Sequence, residues 1–438
     1  MAEESIGVPA ATAVGLGAII GAGIFTLSGT AIALAGDWAL FAFALVGLVA
    51  ILVALEMGEL GSLFPQATGA SYSYVYEAFG SELGFIAGIL LYFSYASSVS
   101  VVALGFGSYF SSLFGITAGY SETAVAICLI AALAMVNLGG IRKAAKADFA
   151  LVVVKILILL SVVGFALYHS EVVGSATDFA QLKAPASGAS GVFEASVAVL
   201  FAYSGFQAIS SFTSSVKGGA RAAARAILLS VAISVVLYVL VAFSLLALLP
   251  AGRFVINADP LSFALSAAHS PGYLVTAVDV GALVATASAS LALILSSSRI
   301  LRQLGADGLL PKVVRSYDEK RDVARNGVFI SAVVGVVMLF SGNIFVIAAI
   351  SNFGLLFSYL IATFALVHFR RLGKKGSFAV RGYPVLPAVA AVAILAFMAG
   401  MPQEALIVGT ILVLSLIVAY YTLREYEEKE PVKLRFFE

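Results

Sequence analysis

The run AKADFALVVVKILILLSVVGFAL holds one charged residue far from either end: Lys155 follows Lys146 by nine residues, which places it about 13 Å further along an α-helix. A lysine at the centre of a membrane helix costs roughly 2.5–3.5 kcal/mol on insertion scales, so its head group is expected to face other helices and find carbonyl or hydroxyl partners. Desolvation penalises the ammonium and not the amine, so such a group can alternate between the two through a working cycle. A tether that stays charged is the other reading.

A second chemistry needs no charged side chain. The stretch GLGAIIGAGIFTLSG, Gly15 to Gly29, places Gly21, Ala22 and Gly23 at mid-depth of an apolar run, and FAYSGFQ places Ser204 and Gly205 in another. Gly17 with Gly21 also fits a GxxxG packing face. Main-chain groups left unpaired at membrane depth are tolerated only where they line a cavity or are buried in protein, so two interruptions in corresponding spans point to a ligand site. Segments 19–25 and 201–206 carry no acidic or basic residue. A half-helix starting near Gly23 offers N–H groups and a positive dipole end to a carboxylate, while half-helices ending near Ile20 and Ala202 offer carbonyls to an ammonium. A solute with both groups on one carbon matches. GLGAIIGAG neither fits GxGxxG nor follows a strand, which excludes a dinucleotide loop.

The elements that must position these residues follow from composition. The 438 residues are 61% hydrophobic and 11% charged, with a mean hydropathy of +1.05, far from a soluble domain. Apolar runs of membrane-spanning length recur at 9–35, 39–61, 83–113, 122–139, 147–168, 192–215, 226–249, 272–300, 326–341, 343–369, 383–400 and 405–422, which predicts an all-α polytopic membrane protein of twelve spans with no room for a soluble catalytic domain. The interruptions fall in spans one and six.

MAEESIGVPA has no Lys or Arg and reads as a retained first span instead of a cleavable signal. With both termini cytoplasmic, the even-numbered gaps hold Arg142, Lys143, Lys146, then Lys217, Arg221, Arg225, then Arg299 to Arg325, then Arg370 to Arg381. Of 25 Lys and Arg only Lys183 and Arg253 fall on the other side, the asymmetry of the positive-inside rule. The tail TLREYEEKEPVKLRFFE reads as a solvated cytosolic end.

Other ionisable residues carry weaker signals. Glu56 and Glu59 lie near the cytoplasmic end of span two, where carboxylates are read as solvated. Asp279 lies in the outer part of span eight, its burial open. His169, His269 and His368 fall at span ends or in loops, and the single cysteine, Cys128, excludes an internal disulfide, so no metal or cofactor is expected.

Several stretches together resemble the amino acid-polyamine-organocation (APC) superfamily of secondary transporters, over most of the chain. GAIIGAGIF resembles its broken first span, FPQATGASYSYV its P-x-x-G-G-x-Y-x-Y loop, and NLGGIRKAAKADFALVVVKILIL its fourth loop and fifth span. FAYSGFQ resembles its broken sixth span, SSRILRQLGADGLLPKVV its eighth-span exit, and RGYPVLPAVAAV its eleventh-span entry.

The resemblance implies a 5+5 inverted repeat of LeuT-like kind with discontinuous helices 1 and 6 and two extra C-terminal helices. Its parts would be an N-terminal tail 1–8, repeats 9–185 and 186–370, helices 11 and 12 in 371–422, and a tail 423–438. It implies a substrate carboxylate at Gly21, Ala22, Gly23 and Ile24, an amino group at carbonyls of Ile20, Phe201, Ala202 and Ser204, and an outer aromatic gate at Phe206. It also implies a proton-coupling role for Lys155, touching Gly17 and Thr286 or Ser288. Gln207 stands where many members have Glu, SSVKGG (214–219) replaces the usual Glu-Glu-x-x-Asn-Pro element, and the proline expected near Ala224 is absent.

The expected function is proton-coupled symport of a neutral amino acid in the plasma membrane, with the amino acid, H+ and lipid as partners and no nucleic acid. Proton-independent exchange and a polyamine or organic cation carrier are alternatives. An intramembrane serine enzyme is another class, since AYSG approaches a rhomboid-type GxSG; it lacks the first glycine and a mid-span histidine. A channel lacks a filter-like repeat or a ring of acids along one span.

Overall fold

In a computed structural model, residues 7–64, 71–116, 120–139, 144–185, 188–205, 216–319, 321 and 323–426 are described. Fifteen α-helices follow in order: α1 Val8–Ile19, α2 Gly23–Ala35, α3 Ala39–Leu63, α4 Ser71–Phe79, α5 Ser81–Phe114, α6 Ser121–Gly139, α7 Ala144–Val172, α8 Ala189–Tyr203, α9 Gly219–Leu248, α10 Pro260–Ala267, α11 Gly272–Ala306, α12 Arg325–Met338, α13 Ile344–Arg371, α14 Val385–Ala399 and α15 Gln403–Tyr426. Each apolar run read from sequence is occupied by one of these helices, the first by the pair α1 and α2. Span six is described only as far as Gly205, so its second half, with Phe206 and Gln207, lies outside the described residues.

The first span breaks where its side chains stop supporting a helix. The Gly21 amide turns to the Ile19 carbonyl at 2.7 Å instead of reaching four residues back, and α2 resumes with Thr26 N on the Ala22 carbonyl at 2.9 Å. α2 itself stops at Gly36, where φ is +60°, a conformation open to glycine at little steric cost.

Two elements were not foreseen as helices. α4 sits between spans two and three, and α10 lies outside span seven, entered through Pro260 at its first turn. A Cβ on Gly29 of α2 would fall on the Pro260 ring, so the small residue lets α10 pack directly on α2. α5 and α11 run to 34 and 35 residues, about 51–53 Å at the α-helical rise, so they cross a 30 Å hydrocarbon layer tilted or project beyond it.

The core is built from α2, α3, α5, α8, α9, α11 and α13. α5 lies along α11 and α13, α3 along α9, and α2 along α8. α7 shows how the outer helices are oriented: Val152, Lys155, Leu159, Val162 and Ala166 are buried, whereas Val153, Val154, Leu157 and Leu160 are exposed. Spacings of three and four put the first set on one stripe, and the exposed apolar side chains form the face a bilayer would cover.

Candidate functional site

Both interruptions come together at one point. At the first, the amides of Gly23, Ile24 and Phe25 open α2 and have no carbonyl of their own helix to meet, so they form a positive dipole end. At the second, α8 ends at Tyr203, and Ser204 turns to extended backbone (φ −65°, ψ 158°). The Ser204 hydroxyl donates to the Phe201 carbonyl at 2.7 Å. Gly205 follows at φ +110°.

The two breaks touch through their glycines. A Cβ on Gly23 would lie 2.9 Å from both the nitrogen and the Cβ of Ala202, and one on Gly205 would lie 2.9 Å from the Ala18 carbonyl carbon. Gly21 also packs across to α11, its Cβ position 3.4 Å from that of Ala289. The glycines therefore serve close packing and the helix break at once; the two readings of the sequence are compatible.

Tyrosines from neighbouring helices fix the frayed ends. The Tyr238 hydroxyl of α9 lies 2.8 Å from the Ile19 carbonyl and 3.2 Å from the Ala202 carbonyl. A phenol has one proton to donate, so at any instant one of these carbonyls lacks its full share. Tyr203, whose ring is 4.9 Å from that of Tyr238, donates to the Phe43 carbonyl of α3 at 3.2 Å. Tyr109 of α5 donates to the Phe25 carbonyl at 2.6 Å.

Ile20, Ala22, Gly23, Ile24, Phe201 and Ala202 are all buried and Ser204 is half-buried. No acidic or basic side chain occurs in 19–25 or 201–205, so the local field is that of main-chain dipoles.

Lys155 is 1% exposed on α7, which packs on α1, α9 and α11. Gly17 is half-buried on α1. Thr286 is buried and turns its hydroxyl to the Ala282 and Leu283 carbonyls of its own helix, at 2.7 and 3.1 Å. Ser288 is half-buried, two residues before Ser290, whose buried hydroxyl meets no partner.

The reading of Glu56 and Glu59 as solvated is corrected: both are fully buried. Glu59 pairs with Arg370 of α13, Nε to Oε1 at 2.5 Å, and its Oε2 accepts from Arg370 Nη2 at 2.9 Å and from the Val380 amide at 2.6 Å. The Thr363 hydroxyl donates to Glu56 at 2.5 Å. These contacts tie α3 to α13 and to the segment before α14. Asp279 is buried too, accepting from Ser262 of α10.

On the same face as Arg370, the Tyr72 phenol of α4 donates to Asp307 at 2.7 Å, and Gln303 Nε2 donates to both of its oxygens at 3.0 and 3.2 Å. Burial pushes Asp307 above the ordinary aspartate value despite these bonds, and burial together with Asp307 pushes the Tyr72 phenol upward, so it stays a donor. Among the described residues no group of three or more His, Cys, Asp or Glu is arranged to hold a metal ion.

Sequence reasoning missed Tyr238, Tyr109 and Arg370. The tyrosines sit in apolar runs with no local signal, and Arg370 was counted only as a charge in a loop.

A protein-family model described as amino acid permease matches residues 6–421. The branched-chain amino acid permease of Lactococcus lactis subsp. cremoris is 28% identical, the match covering 95% of this chain and 94% of that protein. The methylthioribose transporter of Bacillus subtilis is 29% identical, covering 89% and 87%. A crystal structure of a mutant manganese transporter from Eremococcus coleocola superposes with a TM-score of 0.58 at 15% identity, over 95% of this chain and 94% of that one, a likeness of fold.

Proposed function

Given that the chain belongs to the amino acid permease family, we propose that it carries a neutral amino acid together with a proton, by alternating access around the junction of the two helix breaks. The observation that carries this reading is the meeting of the opening amides of α2, at Gly23, Ile24 and Phe25, which have no carbonyl of their own helix, with the carbonyl ends of α1 and α8, only partly met by Tyr238, Gly21 and Ser204, and no charged side chain in either segment. Amides suit a carboxylate and carbonyls suit an ammonium. A net-charged side chain on the solute would find no counter-charge there.

In this reading Gly21, Ala22, Gly23 and Ile24 hold the carboxylate, Ile20, Phe201, Ala202 and Ser204 the amino group, and Phe206 gates from outside. Lys155 exchanges a proton as the protein passes between outward-open and inward-open states, with Gly17 and Thr286 or Ser288 as its surroundings. Residues 9–185 and 186–370 act as the two repeats, 371–422 as added helices, and the tails lie in the cytoplasm of a plasma-membrane protein. The basic gaps support that orientation.

Similarity to a branched-chain amino acid permease favours an apolar side chain on the substrate. Purified protein in liposomes tests the proposal: uptake of labelled leucine is competed by neutral amino acids, and not by their amides or des-amino analogues. Competition by methylthioribose alone would replace the amino acid with an uncharged solute. Replacing Lys155 with Ala removes the pH dependence that Lys155 imposes on uptake; an unchanged pH profile takes Lys155 out of the coupling role.

A further inference from the structure

α3 carries two buried carboxylates one helical turn apart, and the structure meets them differently. Glu59 has a counter-ion in Arg370, which lies against both of its oxygens, and its Oε2 also accepts from the Val380 amide. Glu56 is 0% exposed, yet the Thr363 hydroxyl reaches only its Oε2, and Oε1 meets no donor. An ionised Glu56 adds a second negative charge to a site whose guanidinium is committed to Glu59, while the protonated acid adds none.

One turn deeper, α3 and α13 part around a cavity of about 10 Å3, at the lower limit of what a single water needs. Val53 and Tyr359 line it, three and four residues from Glu56 and Thr363 on the same helices, and Ser204 and Tyr203 at the end of α8 line its far wall. Glu56 thus stands between the break of the sixth span and the Glu59–Arg370 pair at the basic face.

We propose that Glu56 is a proton-binding site in its own right, separate from Lys155, set between the sixth-span break and the basic face. Its carboxylate takes a proton from hydronium, releasing water, and returns it by the reverse step; no other bond changes. The cavity, lined mostly by apolar side chains, reaches from Ser204 to the turn of α3 that precedes Glu56. The ionisable groups facing this stretch are Glu59 from α3, Arg370 and Tyr359 from α13 and Tyr203 from α8. α9 contributes Ala224 against Gly58, and α14 contributes Ile394. Arg221 and Arg225 of α9 are exposed, and Arg221 is bonded to the Ser377 carbonyl at 2.6 Å.

Proton binding at Glu56 does not depend on the transport reading, and its coupling to uptake does. Infrared difference spectra of the purified full chain, recorded against pH without substrate, test the first. The expected result is a carboxylic acid carbonyl band that titrates in the wild type, persists in Glu56→Asp, shifts in Thr363→Val and is lost in Glu56→Gln. A spectrum unchanged in Glu56→Gln overturns the proposal, as does a Glu56 band that never titrates. In liposomes, Glu56→Gln is expected to lose gradient-driven leucine accumulation while retaining leucine exchange; accumulation at the wild-type level would remove Glu56 from coupling.

Discussion

Gly23 rests on the backbone of Ala202, the first residue of α2 against the last turn of α8, with no space for a Cβ between them. Its φ is not in the left-handed region, so closeness and not conformation demands glycine here. The contact registers the amide end of one broken helix against the carbonyl end of another. A single bound molecule can then span both.

Replacing Gly23 with Val is accordingly expected to push α2 from α8 and abolish leucine binding. Overpacking of this kind costs about 1–3 kcal/mol, which a protein of this size survives. Binding by calorimetry and folding by thermal melting separate the two effects. Unaltered affinity in a folded variant would mean that the glycine serves packing alone.

Tyr238→Phe removes the hydroxyl shared by Ile19 and Ala202 and little else, since the ring keeps its place beside Tyr203. Leaving a buried carbonyl without a donor costs about 1–3 kcal/mol, and here the Ala202 carbonyl loses its donor while Ile19 keeps only the Gly21 amide. The variant is expected to show a raised KM for the amino acid with a smaller change in maximal rate. An equal fall in both would place Tyr238 in the conformational step instead.

How much of this was legible depends on the range of each interaction. The breaks were readable because their cause is local: Gly21 to Gly23 and Ser204 to Gly205 withdraw side-chain support within a few residues. The inward facing of Lys155 followed from the cost of the alternative. Tyr238 was invisible, because its partners Ile19 and Ala202 are 219 and 36 residues away and nothing in SVVLYVLVA sets that tyrosine apart. Glu59 was misread for the same reason. Its position near a helix end suggested water, and the partner that replaces water, Arg370, is 311 residues distant. α10 escaped because eight residues carry too short a period to register.

The Glu59–Arg370 pair makes a stability prediction. Its side chains are 0% and 9% exposed, so removing one partner strands a buried charge at a cost of about 3–5 kcal/mol. Arg370→Met and Glu59→Gln should each lower the melting temperature sharply, and the double variant should recover part of the loss. Strictly additive losses, measured as a double-mutant cycle in detergent, would show that the two side chains stabilise the protein independently.

Asp307 predicts a pH dependence of defined sign. Burial raises it above its value in the unfolded chain, so between the two values the folded form binds more protons than the unfolded one. The stability that Asp307 contributes is therefore fully present below the unfolded value and is lost as pH rises through the folded one. Asn at this position keeps an acceptor for the Tyr72 hydroxyl and cannot ionise. Asp307→Asn should then lose less melting temperature than the wild type on going from acid to neutral pH. The difference between the two curves isolates Asp307 from Asp259, which burial also raises and which both proteins share. Parallel curves would mean that Asp307 ionises in the folded protein as it does in the unfolded chain, and that the Tyr72 and Gln303 bonds fully offset its burial.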